Sequence, residues 1–565
     1  MNLKTKSPLG QLLVQQGIIT PLQLETALKE QRKSKELLGV VLVRMGFVDQ
    51  ESVYLPILAE QLGVPYVSLK GINISPEAIS KIPAKFAYHY KVIPVDYKND
   101  VLTIALTQPL DIHVLDDINM VVKARLKSVL ASEKDIMEAV RKYYGIGAET
   151  IERMMDTGDV KKEAQPAVAA EDLGSDASVS KFVSEILREA HKDRATDIHI
   201  EPFEGELRVR YRIDGMLYDA KVPPNIKHFK DSINSRIKIM ANLNIAEKRL
   251  PQDGRFKIKV EDADLDLRVS FLPTAYGESV VIRLLSSAKL ISLEDLGLSQ
   301  KDLTTLDGLI KKPHGIIFVT GPTGSGKTTT LYSCLSRVNK LDRKIITIED
   351  PIEYQIPGVT QIQINPRIGL TFAAGLRSML RHDPDIMMVG EVRDLETAEI
   401  AIQVALTGHL VFSTLHTNDA ASAVTRLVDM GIEPFLVSSS IECFIAQRLV
   451  RVVCQHCKEP KKLTAEFSRE FGLNSQEAAQ TTIFEGKGCE ACRGTGYHGR
   501  QAIYECLTLN DELRDMILGK KPASQIKQKA VQTGMRTLRQ DGWEKVKKGL
   551  TTPAEVIRVT QEEIL

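Results

Sequence analysis

Eight consecutive residues, 321–328, match the pattern G-x-x-x-x-G-K-[ST] at every defined position. In this pattern the glycines allow backbone N–H groups to approach a triphosphate closely, the lysine lies against the β- and γ-phosphates, and the hydroxyl residue ligates Mg²⁺. The pattern therefore predicts a phosphate-binding loop for ATP, with Thr328 as the Mg²⁺ ligand. The residues expected to bind the nucleotide are Gly321, Pro322, Thr323, Gly324, Ser325, Gly326, Lys327, Thr328 and Thr329.

The residues on both sides of this loop have the composition that the pattern requires. Residues 315–320 have the length and the β-branched character of a buried strand, and residues 328–338 contain neither Gly nor Pro, as expected of a helix. A chance Gly-rich turn would not need a strand before it and a helix after it. The sequence therefore predicts a strand, a phosphate loop and a helix in this order.

Three further groups of polar residues come after apolar, strand-like runs. Residues 345–348 precede an acidic cluster that contains Glu349 and Glu353, residues 385–391 end in Glu391, and residues 409–416 place His409 and His416 at the two ends of one strand. In an open α/β sheet, ligands bind at the carboxyl ends of the strands. The three acids are therefore candidates to orient water or to contact Mg²⁺ directly or through its waters, and the histidines are candidate functional residues.

Two C-x-x-C pairs are separated by 31 residues: Cys454 with Cys457, and Cys489 with Cys492. Four thiolates in this spacing are typical of a tetrahedral structural Zn²⁺ site. Residues 494–499 also match G-x-G-x-x-G, but they come after a cysteine pair instead of a strand, which excludes a dinucleotide fold there. The remaining cysteines, Cys334, Cys443 and Cys506, lie in apolar runs and are predicted to belong to the core.

Length, charge and hydropathy limit the class of protein. At 565 residues the chain is too long for one core, and about 100 to 200 residues per domain suggests three or four domains. The formal net charge of +1 provides no overall basic field, so no nucleic-acid partner is expected. No apolar run approaches the roughly 18 residues of a membrane span, and the first residues lack a signal peptide. These features predict a cytoplasmic protein that contacts a membrane through a partner.

Composition and periodicity divide the chain into four segments. Residues 1–145 form an N-terminal interaction domain, in which residues 1–61 contain a helical repeat with a 29-residue shift and the rest is a small α/β part. Residues 146–178 are rich in Ala, Gly, Asp and Glu and are predicted to be a flexible linker. Residues 179–290 begin with one helix and continue as a series of strands. This order predicts a mixed sheet with helices on one face. Residues 291–565 contain the phosphate loop and, at about 450–500, the cysteine insert.

Together these motifs resemble the ATPase superfamily that drives type II secretion and type IV pili. The resemblance rests on the phosphate loop, the Ile-Glu-Asp-Pro-Ile-Glu box that ends at Glu353, the Gly-Glu-Val-Arg-Asp run at 390–394 and the two-histidine box at 407–419. It covers nearly the whole chain and is strongest to the pilus assembly (extension) branch. The motifs do not separate this branch from type II secretion ATPases. Retraction ATPases are similar only from the strand domain onward and lack the cysteine insert.

The resemblance implies an architecture and partners. It implies an α/β fold with a RecA-like P-loop NTPase core, a preceding PAS-like α+β domain, an N-terminal α/β interaction domain and a small zinc-binding insert. It also implies a homohexameric ring that works on an inner-membrane platform protein, with a cytoplasmic-ring partner for the N-terminal domain. A nucleic-acid translocase and a pure nucleotide sensor are the alternatives from other classes.

The resemblance also implies roles for individual residues. Glu353 becomes the favoured water-orienting acid, Glu391 lies near Mg²⁺ and its waters, and His416 belongs to the catalytic set with Lys327. Arg268 and Arg283 lie in runs similar to arginine-bearing strands of the family, which implies that they complete the active site of a neighbouring subunit. The alternative is that both arginines only pair with acids such as Asp266 and Glu278.

The N-terminal repeat resembles the cyclic-di-GMP-binding motif found in related ATPases. That motif opens each unit with arginine, whereas this chain has Pro8 and Leu37 at the two positions, and Glu60 replaces the second closing glutamine. The loss of both arginines weighs against cyclic-di-GMP binding.

Overall fold

The computed structural model describes residues 9–34, 36, 38–48, 51–107, 118–120, 122, 124–156, 173–260, 263–286 and 290–560. The chain divides into two compact units, residues 1–286 and 287–565. Each unit has its own buried hydrophobic clusters. An α/β architecture was predicted and is confirmed.

Two helical hairpins form the start of the first unit. Gly17 and Gly46 occupy equivalent turn positions with φ of 72° and 70°. The second helix begins with a reciprocal cap, in which the Thr20 N–H donates to Gln23 Oε1 at 2.8 Å and the Gln23 N–H donates to Thr20 Oγ1 at 3.3 Å. Pro8 and Leu37, on which the cyclic-di-GMP prediction depends, lie outside the described residues. The four helices are Leu9–Gln15, Pro21–Ser34, Leu38–Arg44 and Glu51–Leu62.

A small α/β module comes after the hairpins. Its three strands are β1 (Val92–Lys98), β2 (Val101–Leu106) and β3 (Arg125–Leu130). They lie in the order β1-β2-β3, with β1 antiparallel and β3 parallel to β2. The helices are Pro76–Ser80, Ala84–Tyr90, Glu133–Tyr144 and Ala148–Asp156.

The last of these helices lies inside the predicted flexible linker. Ile151 and Met154 of this helix are buried, and the Glu152 carboxylate accepts hydrogen bonds from the N–H groups of Ala84 (2.9 Å) and Lys85 (2.8 Å). The low aromatic content of this stretch does not reveal the three buried apolar side chains of this helix, Ala148, Ile151 and Met154. Residues 148–156 are therefore a packed helix, and residues 157–172 of the predicted linker lie outside the described residues.

The rest of the first unit contains a six-stranded sheet and two helices. The strands are β4 (Ala195–Phe203), β5 (Glu206–Ile213), β6 (Met216–Asp219), β7 (Gln252–Val260), β8 (Ala263–Thr274) and β9 (Gly277–Ser286); the helices are Leu173–Lys192 and Lys230–Met240. The strand order is β6-β5-β4-β9-β8-β7. Every neighbouring pair is antiparallel, so the prediction of a mixed sheet was wrong. Short turns join β4 to β5, β5 to β6 and β8 to β9, and such turns permit only antiparallel pairing.

A seven-stranded sheet forms the centre of the second unit. Its strands are β10 (Gly315–Thr320), β11 (Ile345–Glu349), β12 (Val359–Gln363), β13 (Ile386–Val389), β14 (Leu410–Leu415), β15 (Ile441–Val453) and β18 (Tyr497–Thr508). The strand order is β12-β11-β13-β14-β10-β15-β18. All neighbours are parallel except β15 and β18, which are antiparallel. Two separate apolar clusters include side chains of these strands.

Helices surround this sheet, and a two-stranded sheet lies between β15 and β18 in sequence. The helices are Gln300–Leu309, Lys327–Val338, Phe372–Met379, Leu395–Leu406, Ala420–Asp429, Pro434–Ser440, Ala465–Glu470, Ser475–Gln480, Asp511–Leu518, Ala523–Gln532, Leu538–Lys547 and Pro553–Val559. The small sheet pairs β16 (Lys458–Lys462) with β17 (Thr482–Gly486) in antiparallel register. Among the described residues, no helix has the length and apolar character needed to cross a bilayer.

A buried ion pair supplies a stability test for the strand domain. The Lys238 ammonium donates to Glu278 Oε1 and to the Glu247 carbonyl, each at 2.7 Å, and both charged side chains are at most 5% exposed. Removing one partner leaves the other charge unpaired in the core. Lys238→Ala should therefore lower the free energy of unfolding by about 3 to 5 kcal/mol. Chemical denaturation of the full chain measures this loss of stability, which is read from the unfolding transition of the strand domain.

The matched control is Arg249→Ala. Arg249 also pairs with a glutamate, Glu247, but its side chain is 87% exposed, so its removal should leave the free energy of unfolding close to the wild-type value. Equal effects of the two substitutions would contradict the assignment of a structural role to the buried pair.

Candidate active site

The phosphate loop connects β10 to the helix Lys327–Val338, as the sequence predicted. Gly321 and Gly326 have positive φ angles of 152° and 87°. A Cβ at Gly321 would lie 2.6 Å from the Gln447 carbonyl oxygen, and a Cβ at Gly326 would lie 2.8 Å from Gln447 Nε2. Backbone conformation and close packing against β15 therefore both require glycine at these two positions.

Two side chains inside the loop are suited to an anionic ligand. Ser325 Oγ is buried and has no hydrogen-bond partner in the described structure. The Lys327 ammonium donates to the carbonyl oxygens of Gly321 (2.8 Å) and Pro322 (3.1 Å). Burial lowers the pKa of Lys327 to about 8, and the nearby Glu391 carboxylate partly opposes this shift. A buried donor without a partner and a partly desolvated cation fit a phosphate group.

Glu391 comes after β13 and lies beside the loop. Its side chain is 12% exposed, forms an ion pair with Arg393, and lies 3.2 Å from His416 Nε2. His416 comes after β14, the strand that pairs with β13 on one side and β10 on the other. The structure therefore brings together Lys327, Glu391 and His416, which were separate in the sequence.

A cleft of about 480 Å³ opens next to Glu391. It is lined by Val392, Arg393, Leu415, His416 and Arg426. Sequence reasoning named only His416 of this set. The other predicted histidine, His409, lies at the opposite end of β14, where its ring nitrogen contacts the Val404 carbonyl at 3.1 Å. His409 is therefore a packing residue at the end of a helix.

The two other candidate acids occupy different environments. Glu349, the last residue of β11, is 3% exposed and accepts hydrogen bonds from Thr347 Oγ1 at 2.5 Å and from Gln361 Nε2 at 3.0 Å. Glu353 lies in the turn after this strand and is half-buried. Its backbone N–H donates to the hydroxyl of Tyr332 at 3.4 Å.

Two polar residues of β15, Gln447 and Arg448, pack against the phosphate loop and the helix that follows it. Thr330 Oγ1, in the first turn of the helix, donates to Gln447 Oε1 at 2.8 Å. The Arg448 guanidinium donates to the carbonyl oxygens of Gln447 (3.0 Å) and Asn418 (2.7 Å). Sequence reasoning missed both residues, because β15 also contains Glu442 and Arg451 and polarity alone does not single out the two that contact the loop and its helix.

In the first unit, the predicted arginines lie side by side across the antiparallel sheet. The strand registers place Arg268 between Arg255 and Arg283, and Arg283 is also opposite Asp197. Arg283 Nε donates to Asp197 Oδ1 at 2.9 Å, although the Arg283 side chain remains 57% exposed. The sheet therefore presents a row of three arginines on one face.

The four cysteines of the insert converge. All four Sγ atoms lie within 4.8 Å of one another, and the Cys454–Cys489 and Cys457–Cys492 Sγ–Sγ distances are both 3.8 Å. Burial acts against ionisation of Cys492, but backbone N–H groups of Cys489 and Gly496 point at its sulfur and lower its pKa to about 6. A close set of four thiols with such donors fits a tetrahedral metal site. Cys334 and Cys443 are buried, and Cys506 is half-buried.

Comparison with known proteins identifies the family. A family model described as "Type II/IV secretion system protein" matches residues 172–558, and a "MshEN domain" model matches residues 62–150. The chain is 43% identical over 557 residues to the type IV pilus assembly ATPase PilB of Myxococcus xanthus, covering 97% of this chain and 98% of that protein. It is 42% identical over 528 residues to the type II secretion system protein E of Xanthomonas campestris, covering 92% and 93%.

A solved structure agrees at the level of the fold. The Yersinia pseudotuberculosis ATPase DotB aligns with a TM-score of 0.50 and 20% identity, covering 71% of this chain and 97% of that one. The predicted resemblance to the secretion ATPase superfamily is therefore confirmed. The chain belongs to the type II/IV secretion system protein family, and it is an ATPase with a P-loop fold.

Proposed function

We propose that this chain is the motor ATPase of type IV pilus assembly. The observation that carries this proposal is the match to a pilus assembly ATPase over nearly the full length of both chains, including the N-terminal domain. In this function the chain works in the cytoplasm as a homohexamer and transfers mechanical work to an inner-membrane platform protein. The second candidate is the type II secretion ATPase, which the 42% identity to a type II secretion protein E supports.

The reaction is attack of water on the γ-phosphate of ATP, for which positioning and charge stabilisation supply most of the catalysis. Residues 321–329 hold the phosphates, Lys327 supplies the cation and Thr328 ligates Mg²⁺, which neutralises charge on the β- and γ-phosphates when bound. Glu353 orients the attacking water. Glu391 and His416, 3.2 Å apart, would contact the waters of a bound Mg²⁺.

The N-terminal domain binds a protein partner of the assembly machinery, which the MshEN domain match supports. Pro8 and Leu37 replace the two arginines of the cyclic-di-GMP motif, so this domain is not assigned that ligand.

Lys327→Ala should abolish ATP hydrolysis while the protein stays folded. Among the described residues, the hydrogen bonds of the Lys327 ammonium go to two carbonyl oxygens of the loop itself, so the substitution removes the phosphate contact without breaking a hydrogen bond to another part of the fold. Phosphate release measures turnover, and thermal unfolding checks the fold. The matched control is Lys340→Ala, an exposed lysine just after the same helix, which should keep normal turnover. Hydrolysis by the Lys327 variant would contradict a motor function.

The cysteine cluster holds one Zn²⁺ per chain through Cys454, Cys457, Cys489 and Cys492. Metal analysis of purified protein should find about one zinc per chain, and structural zinc typically contributes on the order of 10 kcal/mol to a small module. Cys454→Ser should lower the zinc content and destabilise the insert locally, whereas Cys334→Ser, outside the cluster, should leave the zinc content unchanged. Four free thiols with no metal in the wild-type protein would refute the zinc site.

Arg268 and Arg283 complete the nucleotide site of a neighbouring subunit. Of the two acids expected to pair with these arginines, Glu278 pairs with Lys238 and Asp266 accepts a 2.7 Å hydrogen bond from Arg255. Arg283 pairs with Asp197, but its side chain remains 57% exposed. Like charges directly opposite one another on a sheet are unfavourable, so a row of arginines is typical of an anion-binding surface. An arginine supplied in trans is worth roughly 10³-fold or more in phosphoryl transfer.

Mixing variants tests this shared site. Lys327→Ala and Arg283→Ala should each be inactive alone, but mixed rings should recover activity where an intact phosphate loop faces an intact arginine; Arg268→Ala should behave in the same way. Arg208→Ala, an arginine of the same domain that pairs with Glu206, is the control and should remain active alone. Normal turnover of the Arg268 and Arg283 variants alone would exclude both residues from the site.

A further inference from the structure

One tyrosine connects the phosphate-loop helix to the acidic box. Tyr332 belongs to the helix that begins at Lys327, and its side chain is completely buried. Its ring packs edge-on against Tyr354, with ring centroids 4.6 Å apart and planes at 81°. A phenol in such a position needs hydrogen-bond partners, because an unsatisfied buried hydroxyl is costly.

Two partners of this hydroxyl belong to the acidic box, and a third, Gln361, belongs to β12. The hydroxyl donates to the Glu349 carboxylate, and it accepts from the Glu353 N–H at 3.4 Å and from Gln361 Nε2 at 3.5 Å. Glu349 is saturated by neutral donors, since Thr347 and Gln361 also donate to it, and no lysine or arginine of the described residues forms an ion pair with it. Three donated hydrogen bonds hold the Glu349 carboxyl in place, and the carboxyl in turn fixes the orientation of the phenol.

Burial, together with the bond to Glu349, raises the pKa of Tyr332. The hydroxyl therefore stays protonated and keeps its donor role near neutral pH. Its oxygen also accepts from the backbone of the turn that carries Glu353 and from Gln361. A single side chain thus spans from the helix of Lys327 to the backbone of the favoured catalytic acid.

We propose that Tyr332 and Glu349 act as a positioning pair: Glu349 orients the Tyr332 hydroxyl, which holds the backbone of Glu353 at a set place relative to the phosphate loop. This proposal rests on the proposed function, in which Glu353 orients the attacking water. Glu349 is then a structural acid, and neither member of the pair touches the nucleotide.

Tyr332→Phe tests the pair because it removes one oxygen and keeps the ring. The proposal expects kcat for ATP to fall about 10- to 100-fold, the scale of a small misplacement of a catalytic group, with KM unchanged. Glu349→Gln keeps the side-chain volume but removes the charge, and it should also lower kcat without raising KM. The control is Tyr354→Phe, since the Tyr354 hydroxyl has no hydrogen-bond partner among the described residues; this variant should keep the wild-type kcat.

A double-mutant cycle separates positioning from a general structural effect. Glu353→Gln alone should lower kcat by at least about 100-fold. If Tyr332 acts through Glu353, the double variant should be no slower than Glu353→Gln, whereas independent effects would multiply. Thermal unfolding of full-length rings verifies that each variant is folded.

The outcomes distinguish the two proposals. A wild-type kcat for Tyr332→Phe, or multiplicative losses in the double variant, would overturn the positioning pair and leave the role of Glu353 intact. A wild-type kcat for Glu353→Gln would instead contradict the assignment of the catalytic acid, and the positioning pair with it.

Discussion

Parallel pairing of β11, β13, β14, β10 and β15 is the constraint on which the active site depends. Parallel neighbours have their carboxyl ends at the same edge of the sheet, so the segments that leave neighbouring strands at this edge lie close together. The phosphate loop leaves β10, Glu391 lies just after β13 and His416 just after β14. The 3.2 Å contact between Glu391 and His416 is a consequence of this strand order, because 25 residues of chain separate them.

The first unit contains an antiparallel sheet that exposes a row of charged side chains. Alternation along β5 buries Leu207, Val209 and Tyr211 and turns the intervening arginines outward. The strand register determines which of the outward-facing charged side chains are neighbours. Arg268 lies opposite Arg255 on one side and Arg283 on the other. Asp197 and Asp266 each pair with one member of this row of three arginines. Cations therefore outnumber these two carboxylates on the face, which suits it to an anion.

Features carried by contiguous residues were predictable from the sequence. The strand at 315–320, the loop and its helix, and the two cysteine pairs can all be inferred from local spacing, and the structure places them as expected. Tyr332, Gln447 and Arg448 could not be recognised in this way, because each lies in a helical or apolar run and meets the site only through strand order. The antiparallel pairing of the first unit was missed because alternating polarity does not specify strand direction. The helix at 148–156 was missed because overall composition does not show which few side chains will be buried.

The three acids of the second unit show why residue type alone does not assign a role. Glu349 is buried and accepts hydrogen bonds from hydroxyl and amide donors, which leave it no access to a ligand. Glu391 forms an ion pair with Arg393 and contacts His416, and both of these neighbours line a cleft. Glu353 lies in a half-buried turn, and Tyr332 of the phosphate-loop helix holds its backbone. A carboxylate that must orient water needs a fixed backbone and access to that water. Glu349 lacks the access and Glu391 is paired with Arg393, which favours Glu353 for this role.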